Sequence, residues 1–399
     1  MKSFFLFFLP FLLPLYVVRF HIGPIPTTLL EIIILLACCG WLLFHTKQHT
    51  RKKRFRDIRS SRFTFPIILL FIAGIISVLI APNHFSAAGI FRAYLLEPVL
   101  IFFILQDIIT TRADRHNIIL GLLGVTFLIT IWTILQRIGV FPIPSPWDVA
   151  PIGIRATGPF PYPNAVALFV VPPGAFFASQ IAQDILNPQS KKKRMHLVMF
   201  LGFLSAFCAC ALAQSDGGMI ALIASAGIAL LLNKKTKIPT IIASILIILG
   251  IFSIPSIRNP LSEKIFFRDW SGNVRLVMWK EAETMLADHP LFGAGLGAYQ
   301  NVIAPYHHAE WMEIFQYPHN ILLNFWSELG LLGIISFGWI LIRWYRSNPT
   351  IVLPVLTAIL VHGLVDVPYF KNDLAILFWI LVALTIHRTN THRTEDISC

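Results

Sequence analysis

The sequence predicts an all-α fold: a polytopic integral membrane helical bundle of about twelve transmembrane helices. Three observations predict it. Of 399 residues, 56% are hydrophobic and 13% charged, and mean hydropathy is +0.71, whereas a soluble domain carries roughly 25% charged residues. Apolar runs recur along the whole chain at lengths near the roughly 20 residues that cross a hydrocarbon core. The basic residues behind the net charge of +12 gather in short clusters between those runs, the pattern of membrane topology rather than of nucleic-acid binding. A soluble globular enzyme, a disordered chain and a nucleic-acid module are thereby excluded. Cys38, Cys39, Cys208 and Cys210 lie inside apolar runs and Cys399 is the last residue, so no zinc or disulfide spacing arises.

The apolar runs cover 4–18, 27–44, 63–80, 91–108, 118–135, 165–182, 197–212, 219–232, 238–254, 321–342, 351–364 and 374–386. The first is broken by Pro10 and Pro14, has no small-residue cleavage site and is soon followed by the second, so it reads as a span rather than a signal peptide. Lys47, Arg51, Lys52, Lys53, Arg54, Arg56, Arg59 and Arg62 follow the second run. Arg112 and Arg115 follow the fourth, Lys191 to Arg194 the sixth, and Lys234, Lys235 and Lys237 the eighth. Arg343 and Arg346 follow the tenth, and Arg388 and Arg393 the twelfth. All lie on one side if the N-terminus is cytoplasmic, so 22 of the 32 Lys and Arg fall inside. The positive-inside rule then expects a multi-pass protein of the cytoplasmic (inner) membrane with both termini in the cytoplasm.

Residues 1–399 read as a single transmembrane domain with two long outer connections, 136–164 and 255–320. Loops of that length need a reason. The second is rich in aromatics, among them Trp270, Trp279, Tyr299, Trp311 and Tyr317, which suit a membrane surface or the roof of a cleft. Within it, 273–288 reads as a helix, since Val277, Met278, Ala282, Met285 and Leu286 share one face. The glycines at 293, 295 and 297 have no strand before them and misplace the third glycine of a dinucleotide fingerprint; they read as close packing of loop on bundle.

Four outer segments carry polar groups that a plain bundle does not need. Arg155 opens a proline-rich stretch ending at Asn164; the local alternative is Asn164 as a helix cap and Arg155 snorkelling to headgroups. Gln214-Ser215-Asp216-Gly217-Gly218 is a tight turn, with Ser215 or Asp216 capping the next helix as the plain reading. Arg275 lies on the 273–288 helix, where it suits bidentate pairing with phosphate or a surface salt bridge equally well. Finally, Tyr317 and His319 precede Asn320, Asn324, Ser327 and Glu328. The last four share a stripe about 100° wide that carries Glu328 about 12 Å below Asn320. A carboxylate at that depth must face protein or water. Arg92 and Glu97 sit in the outer half of the fourth run, Glu31 opens the second, and Asp366 closes the eleventh; pairing that holds the bundle together is the reading favoured for Glu31.

At these residues the chain resembles the O-antigen ligase/O-antigen polymerase family of bacterial envelope proteins. The resemblance rests on the RxxGxFxxPN-like segment 155–164, the RxxxWxxAxxMxxxHPLFGxGxGxY-like segment 275–299, the PHNxxLxxxxExGLLG-like segment 318–333 and the HGLxD-like segment 362–366, in that order. It makes 165–366 the core of a ligase-related region and 255–320 a lid. It implies transfer of a glycan from undecaprenyl pyrophosphate to an acceptor hydroxyl of lipid A-core, another glycan or a protein, without nucleotide, metal or other cofactor. Membrane lipid is the remaining partner. Carried over by position, Arg155 and Arg275 clamp the pyrophosphate, and His319 activates the acceptor or adds a phosphate contact. Glu328 and Asp366 orient the site or act as base. Asn164, Trp279, Asn320, Asn324, Arg92 and Tyr317 are the expected substrate contacts. One departure is Asp216, where many relatives carry an arginine, so one expected cation is missing. A repeat-unit polymerase uses the same outer site. A transporter is the rival of another class, favoured by Glu97 and Glu328 within spans and by Pro172-Pro173 breaking the sixth. A scaffold of an assembly complex is a third reading, one with no need of Arg155, Arg275 and His319 together.

Overall fold

The computed structural model describes residues 2–45, 62–149, 153–184 and 193–386. The basic connection at 47–59, Lys191 and Lys192, and Arg388, Arg393 and Cys399 lie outside the described residues.

The fold is helical almost throughout. Helix α1 (Lys2–Leu12) passes through a 3-10 turn into a hairpin, β1 (Arg19–Ile22) and β2 (Ile25–Thr28). The sequence reading had only a connection here. Gly23, at φ +59°, makes the turn, and Arg19 pairs with Thr28 in the antiparallel register. Then follow α2 (Leu29–His45), α3 (Thr64–Ile80), α4 (His84–Ile108), α5 (Arg112–Arg137), α6 (Pro163–Asp184), α7 (Lys193–Leu212), α8 (Asp216–Leu231) and α9 (Lys237–Ser253). The long connection holds α10 (Pro255–Ile265), α11 (Trp270–Asp288) and α12 (Tyr299–Ile303). The chain closes with α13 (Ile321–Ser347), α14 (Pro349–Gly363) and α15 (Asn372–Thr385).

Helices α4, α5, α6, α7 and α13 are long and apolar enough to cross a membrane. A sixth such span arises if α9 and the α10–α11 run, bent 104° apart, count as one; six further apolar helices are 10–17 residues long. The centre of the bundle is α6, which packs on α7, α8 and α14, together with α15, all of whose residues are buried. Pro172 and Pro173 lie inside α6 without interrupting it. The expected break in that span does not occur, because neighbouring helices enclose the segment on all sides. Helix α9 is the opposite case. It is apolar all round yet buries no residue within the chain, as suits a helix solvated by lipid.

Two local irregularities shape one end of the bundle. Helix α4 contains a π-helical turn at Arg92–Leu96, an insertion that re-aims side chains and recurs at functional sites. Helix α13 is broken at Gly330, at φ 66° and ψ −169°, a region open essentially to glycine alone. The long connection docks into that break. Ala294 and Gly295 donate their N–H groups to the Ser327 carbonyl, and Leu331 donates to Leu291 at 3.0 Å. A Cβ on Gly293 would lie 2.2 Å from the Trp326 carbonyl, and one on Gly330 2.3 Å from that of Leu291. The glycines therefore serve close backbone approach, as the sequence indicated.

Candidate functional site

Arg155 is held by the irregular stretch that leads into α6. Its Nε donates to the Ala213 carbonyl at 3.1 Å, and its Nη2 to Asn164 Oδ1 at 2.9 Å and to the Gln214 carbonyl at 3.3 Å. Its guanidinium also lies over the Trp147 ring, 5.4 Å from the centroid. Asn164 is not the helix cap: α6 begins at Pro163, where a missing N–H costs nothing. Asn164 thus sits inside the first turn, and its Nδ2 donates to Asp366 Oδ2 at 3.2 Å. Asp366 Oδ1 is 3.4 Å from His319 Nδ1, an ion-pair separation that lies off the line of a hydrogen bond. Four residues far apart in sequence thus form one chain, Arg155–Asn164–Asp366–His319.

Arg275 reaches the same place from α11. Its Nε donates to the Val365 carbonyl at 3.0 Å, and its Nη1 to the Ser271 carbonyl and hydroxyl at 3.1 and 2.8 Å. It is a bundle contact rather than a surface salt bridge. Burial lowers the Arg155 pKa, Asp216 opposes that shift, and repulsion from Arg275 adds to it. Among the described residues, Nη1 of Arg155 and Nη2 of Arg275 make no hydrogen bond. Two neighbouring guanidiniums with donors to spare form a site for an anion.

His319 adopts φ +45° and Gln214 φ +52°. Non-glycine residues are uncommon there, and such strain gathers at functional sites. The His319 backbone is pinned from both sides. Trp279 Nε1 donates to the Pro318 carbonyl at 3.0 Å. Asn320 caps α13 by accepting from the N–H groups of Leu322 and Leu323, and donates to the Leu364 carbonyl at 3.2 Å. Trp279 and Asn320, expected as substrate contacts, therefore spend their polar groups on the frame. The His319 ring lies 4.6 Å from the Tyr317 ring, and Tyr317 shares a 3.4 Å hydroxyl contact with Tyr162. Burial, seconded by Asp366, pushes the Tyr317 pKa well above its usual value.

Burial alone would raise the Asp366 carboxyl; the charge of His319 and its hydrogen-bonding proximity, then His362 and the Val367 N–H, bring it down to about 2. Asp366 is therefore a carboxylate at working pH, suited to orienting an imidazole.

Three expected site residues lie elsewhere. Glu328 Oε2 accepts from the Gly297 N–H at 2.6 Å, while its carbonyl accepts from the Ser77 hydroxyl. It fastens the long connection to the bundle and, among the described residues, makes no hydrogen bond or ion pair to His319, Asp366 or either arginine. Asn324 is 1% exposed with neither amide atom paired, and Ser327 beside it is enclosed likewise. Arg92 pairs with Glu31 at 2.7 Å and Glu97 at 3.4 Å, in a separate cavity. Glu31 also accepts from Thr27, Thr28 and Asn372, the structural role expected of it.

In the turn before α8, Ser215 makes no side-chain cap. Asp216 instead accepts from Lys264 of α10 at 2.6 Å, so a cation reaches this turn from another element. Sequence reasoning also missed Lys371 and Tyr162. Lys371 Nζ donates to the Tyr16 hydroxyl at 2.5 Å and lies over the rings of Tyr16, Tyr162 and Phe160 at 4.5, 4.8 and 5.7 Å. Tyr162 stands inside the quoted 155–164 segment, where its position between two prolines was the available signal.

Residues 201–338 match the family model described as O-antigen ligase. This stretch is similar to the O-antigen ligase family. The O-antigen ligase match runs from within α7 to Gly338 of α13 and so carries Arg275, His319 and Glu328. Arg155, Asn164 and Asp366 fall outside it and are joined to it by the contacts above. The family's members are glycosyltransferase-like ligases and polymerases, and the apolar helices agree with a membrane protein. A comparison with curated proteins finds no match.

Proposed function

We propose that the chain is an O-antigen ligase-type glycosyltransferase that moves a glycan from undecaprenyl pyrophosphate to an acceptor hydroxyl at the outer face of the cytoplasmic membrane. The observation that carries this reading is the chain Arg155–Asn164–Asp366–His319, with Arg275 bonded to the residue next to Asp366. It sets cations for a leaving anion beside an oriented imidazole.

In this reading the spare donors of Arg155 and Arg275 hold the pyrophosphate. The acceptor oxygen attacks the anomeric carbon, the carbon–oxygen bond to phosphate breaks, and its electron pair leaves with the pyrophosphate. The acceptor proton passes to His319 Nε2, while Asp366 steadies the imidazolium through Nδ1. The arginines act because charge on the leaving phosphate grows in the transition state. Transfer to the end of another repeat would make the enzyme a polymerase, and the acceptor used decides. Transport has less support, since α6 is continuous and Glu328 is committed to Gly297.

The test is reconstitution of purified protein with the host's undecaprenyl-pyrophosphate-linked glycan and a panel of hydroxyl acceptors, without nucleotide. Wild type transfers glycan, and Arg275→Ala and His319→Ala each lose about 10²–10³ in rate. Absence of transfer to any acceptor, with folded wild type and native donor, overturns the reading.

A further inference from the structure

A cavity of about 570 Å³ opens between the β1–β2 hairpin, the π-helical turn of α4 and the start of α15. That volume suits a small ligand. Arg19, Arg92 and Lys371 line it, with Glu31 as the lining carboxylate and Tyr16, Phe20 and Phe85 as aromatic wall. Arg92 is occupied by Glu31 and Glu97. The Arg19 side chain makes no hydrogen bond or ion pair among the described residues, and Lys371 bonds only a neutral hydroxyl through its ammonium. Asp373 stands near Lys371 beyond ion-pair distance. Asn372, 5% exposed and lining the same cavity, leaves Oδ1 without a partner.

Two cations that share the field of Asp373 but make no ion-pair contact, an unpaired buried amide oxygen and flanking rings ask for one kind of ligand. The cations take a carboxylate or phosphate, the amide oxygen takes a hydroxyl, and the rings take an apolar sugar face. The cavity is also coupled to the candidate active site. Lys371 sits against the Tyr162 ring, Tyr162 meets Tyr317, and the Tyr317 ring lies tilted against that of His319. The arginines meet the α14–α15 turn at Val365 and, through Asn164, at Asp366; the cavity meets it at Lys371 and Asn372. An attacking hydroxyl must come from the side opposite the leaving phosphate, which the arginines occupy in the proposed reaction.

We propose that this cavity binds an acidic sugar, bearing a carboxylate or phosphate, of the acceptor glycan. The word acceptor rests on the transferase reading above; the acidic-sugar site does not.

The test is direct binding to the intact chain in phosphatidylcholine nanodiscs, read by saturation-transfer NMR and titration. Glucuronic acid is the carboxylate arm, glucose 6-phosphate the phosphate arm, and glucose the neutral control. At least one anionic sugar is expected to bind at least about tenfold tighter than glucose, the scale of a lost charge-assisted hydrogen bond. Arg19→Gln, on an exposed strand, weakens that binding by about tenfold; Lys371→Met weakens it further, and if that variant fails to fold Arg19→Gln carries the test. Arg275→Ala keeps the binding. No preference for the anionic sugars, or no effect of Arg19→Gln, overturns the proposal. Loss in Arg275→Ala also overturns it, by placing the anion on the arginine clamp. Displacement by phosphatidylglycerol in the nanodisc overturns it in favour of a lipid headgroup. Acidic-sugar binding without glycan transfer sinks the transferase reading and leaves the site; transfer without such binding sinks the site alone.

Discussion

In the proposed reaction Asp366 works through His319 rather than on the glycan itself. Its carboxyl is held down to about 2, so stability drawn from it is present above the unfolded value near 4 and lost only as pH falls through about 2. The acid limb of a pH–rate profile therefore does not report its titration. Asp366→Asn keeps the size and removes the charge that steadies an imidazolium. We expect kcat to fall by about 10²-fold or more with donor KM little changed, checked by steady-state transfer kinetics. The two arginines differ from Asp366 in needing their shape. Arg275 uses Nε and Nη1 on protein acceptors and keeps Nη2 for a ligand, which a single ammonium cannot reproduce. Arg275→Lys should recover under a tenth of wild-type transfer, and near-complete recovery would show that charge alone suffices.

At the scale of elements, the union of the long connection with α13 rests on backbone that has no room for side chains. Gly330 combines a left-handed φ with a carbonyl 2.3 Å from where a Cβ would stand. Gly330→Ala should cost about 1–3 kcal/mol, read as a lower thermal unfolding midpoint in detergent. The outer part of the same connection carries His307, whose Nδ1 lies 3.0 Å from Glu281 and Nε2 2.9 Å from the Met312 carbonyl. The bond to Glu281 raises its pKa, against a smaller opposing effect of burial. Its contribution is therefore fully present below the unfolded value near 6.5 and fades as pH rises through the higher folded value. Hydrogen exchange of 304–314, corrected for intrinsic rates, should quicken across that window, and His307→Gln should remove the step. Lys264 and Asp216 form the other tie to the bundle, but both are about half exposed, at 49% and 50%. Such a pair adds little stability; its consequence is a cation placed beside the Arg155 turn.

At the scale of the whole molecule, the chemistry proposed needs the α10–α12 connection on the outer side of the membrane. The charge asymmetry of the connections predicts that side. In a cysteine-free background, an impermeant maleimide added to intact cells should label Lys280→Cys and spare Lys234→Cys. The reverse pattern would place the arginine cluster in the cytoplasm, away from any outer acceptor. The buried centre, α6 and α15, is the rigid part against which these loops are held. The lipid-like surface of α9 is peripheral.

Composition, run length and charge placement determined the helical membrane class, because a hydrocarbon solvent leaves helices as the economical way to satisfy backbone hydrogen bonds. The ordered segments around Arg155, Arg275, His319 and Asp366 mark the cluster in the sequence itself, since polar groups in so apolar a chain have few structural uses. What sequence spacing could not reveal was partnership. The same helical stripe that groups Asn320, Asn324 and Glu328 sends them to a cap, a closed interior and the Gly297 amide. Arg92, one more outer cation by sequence, is neutralised by Glu31 and Glu97. Lys371 carried no spacing signal, and Tyr162 only its place between two prolines, because their cage is assembled from residues 16, 160, 162 and 371. Local sequence fixes a side chain's element and approximate face. Only packing between elements decides which of its hydrogen-bonding atoms remain for a substrate.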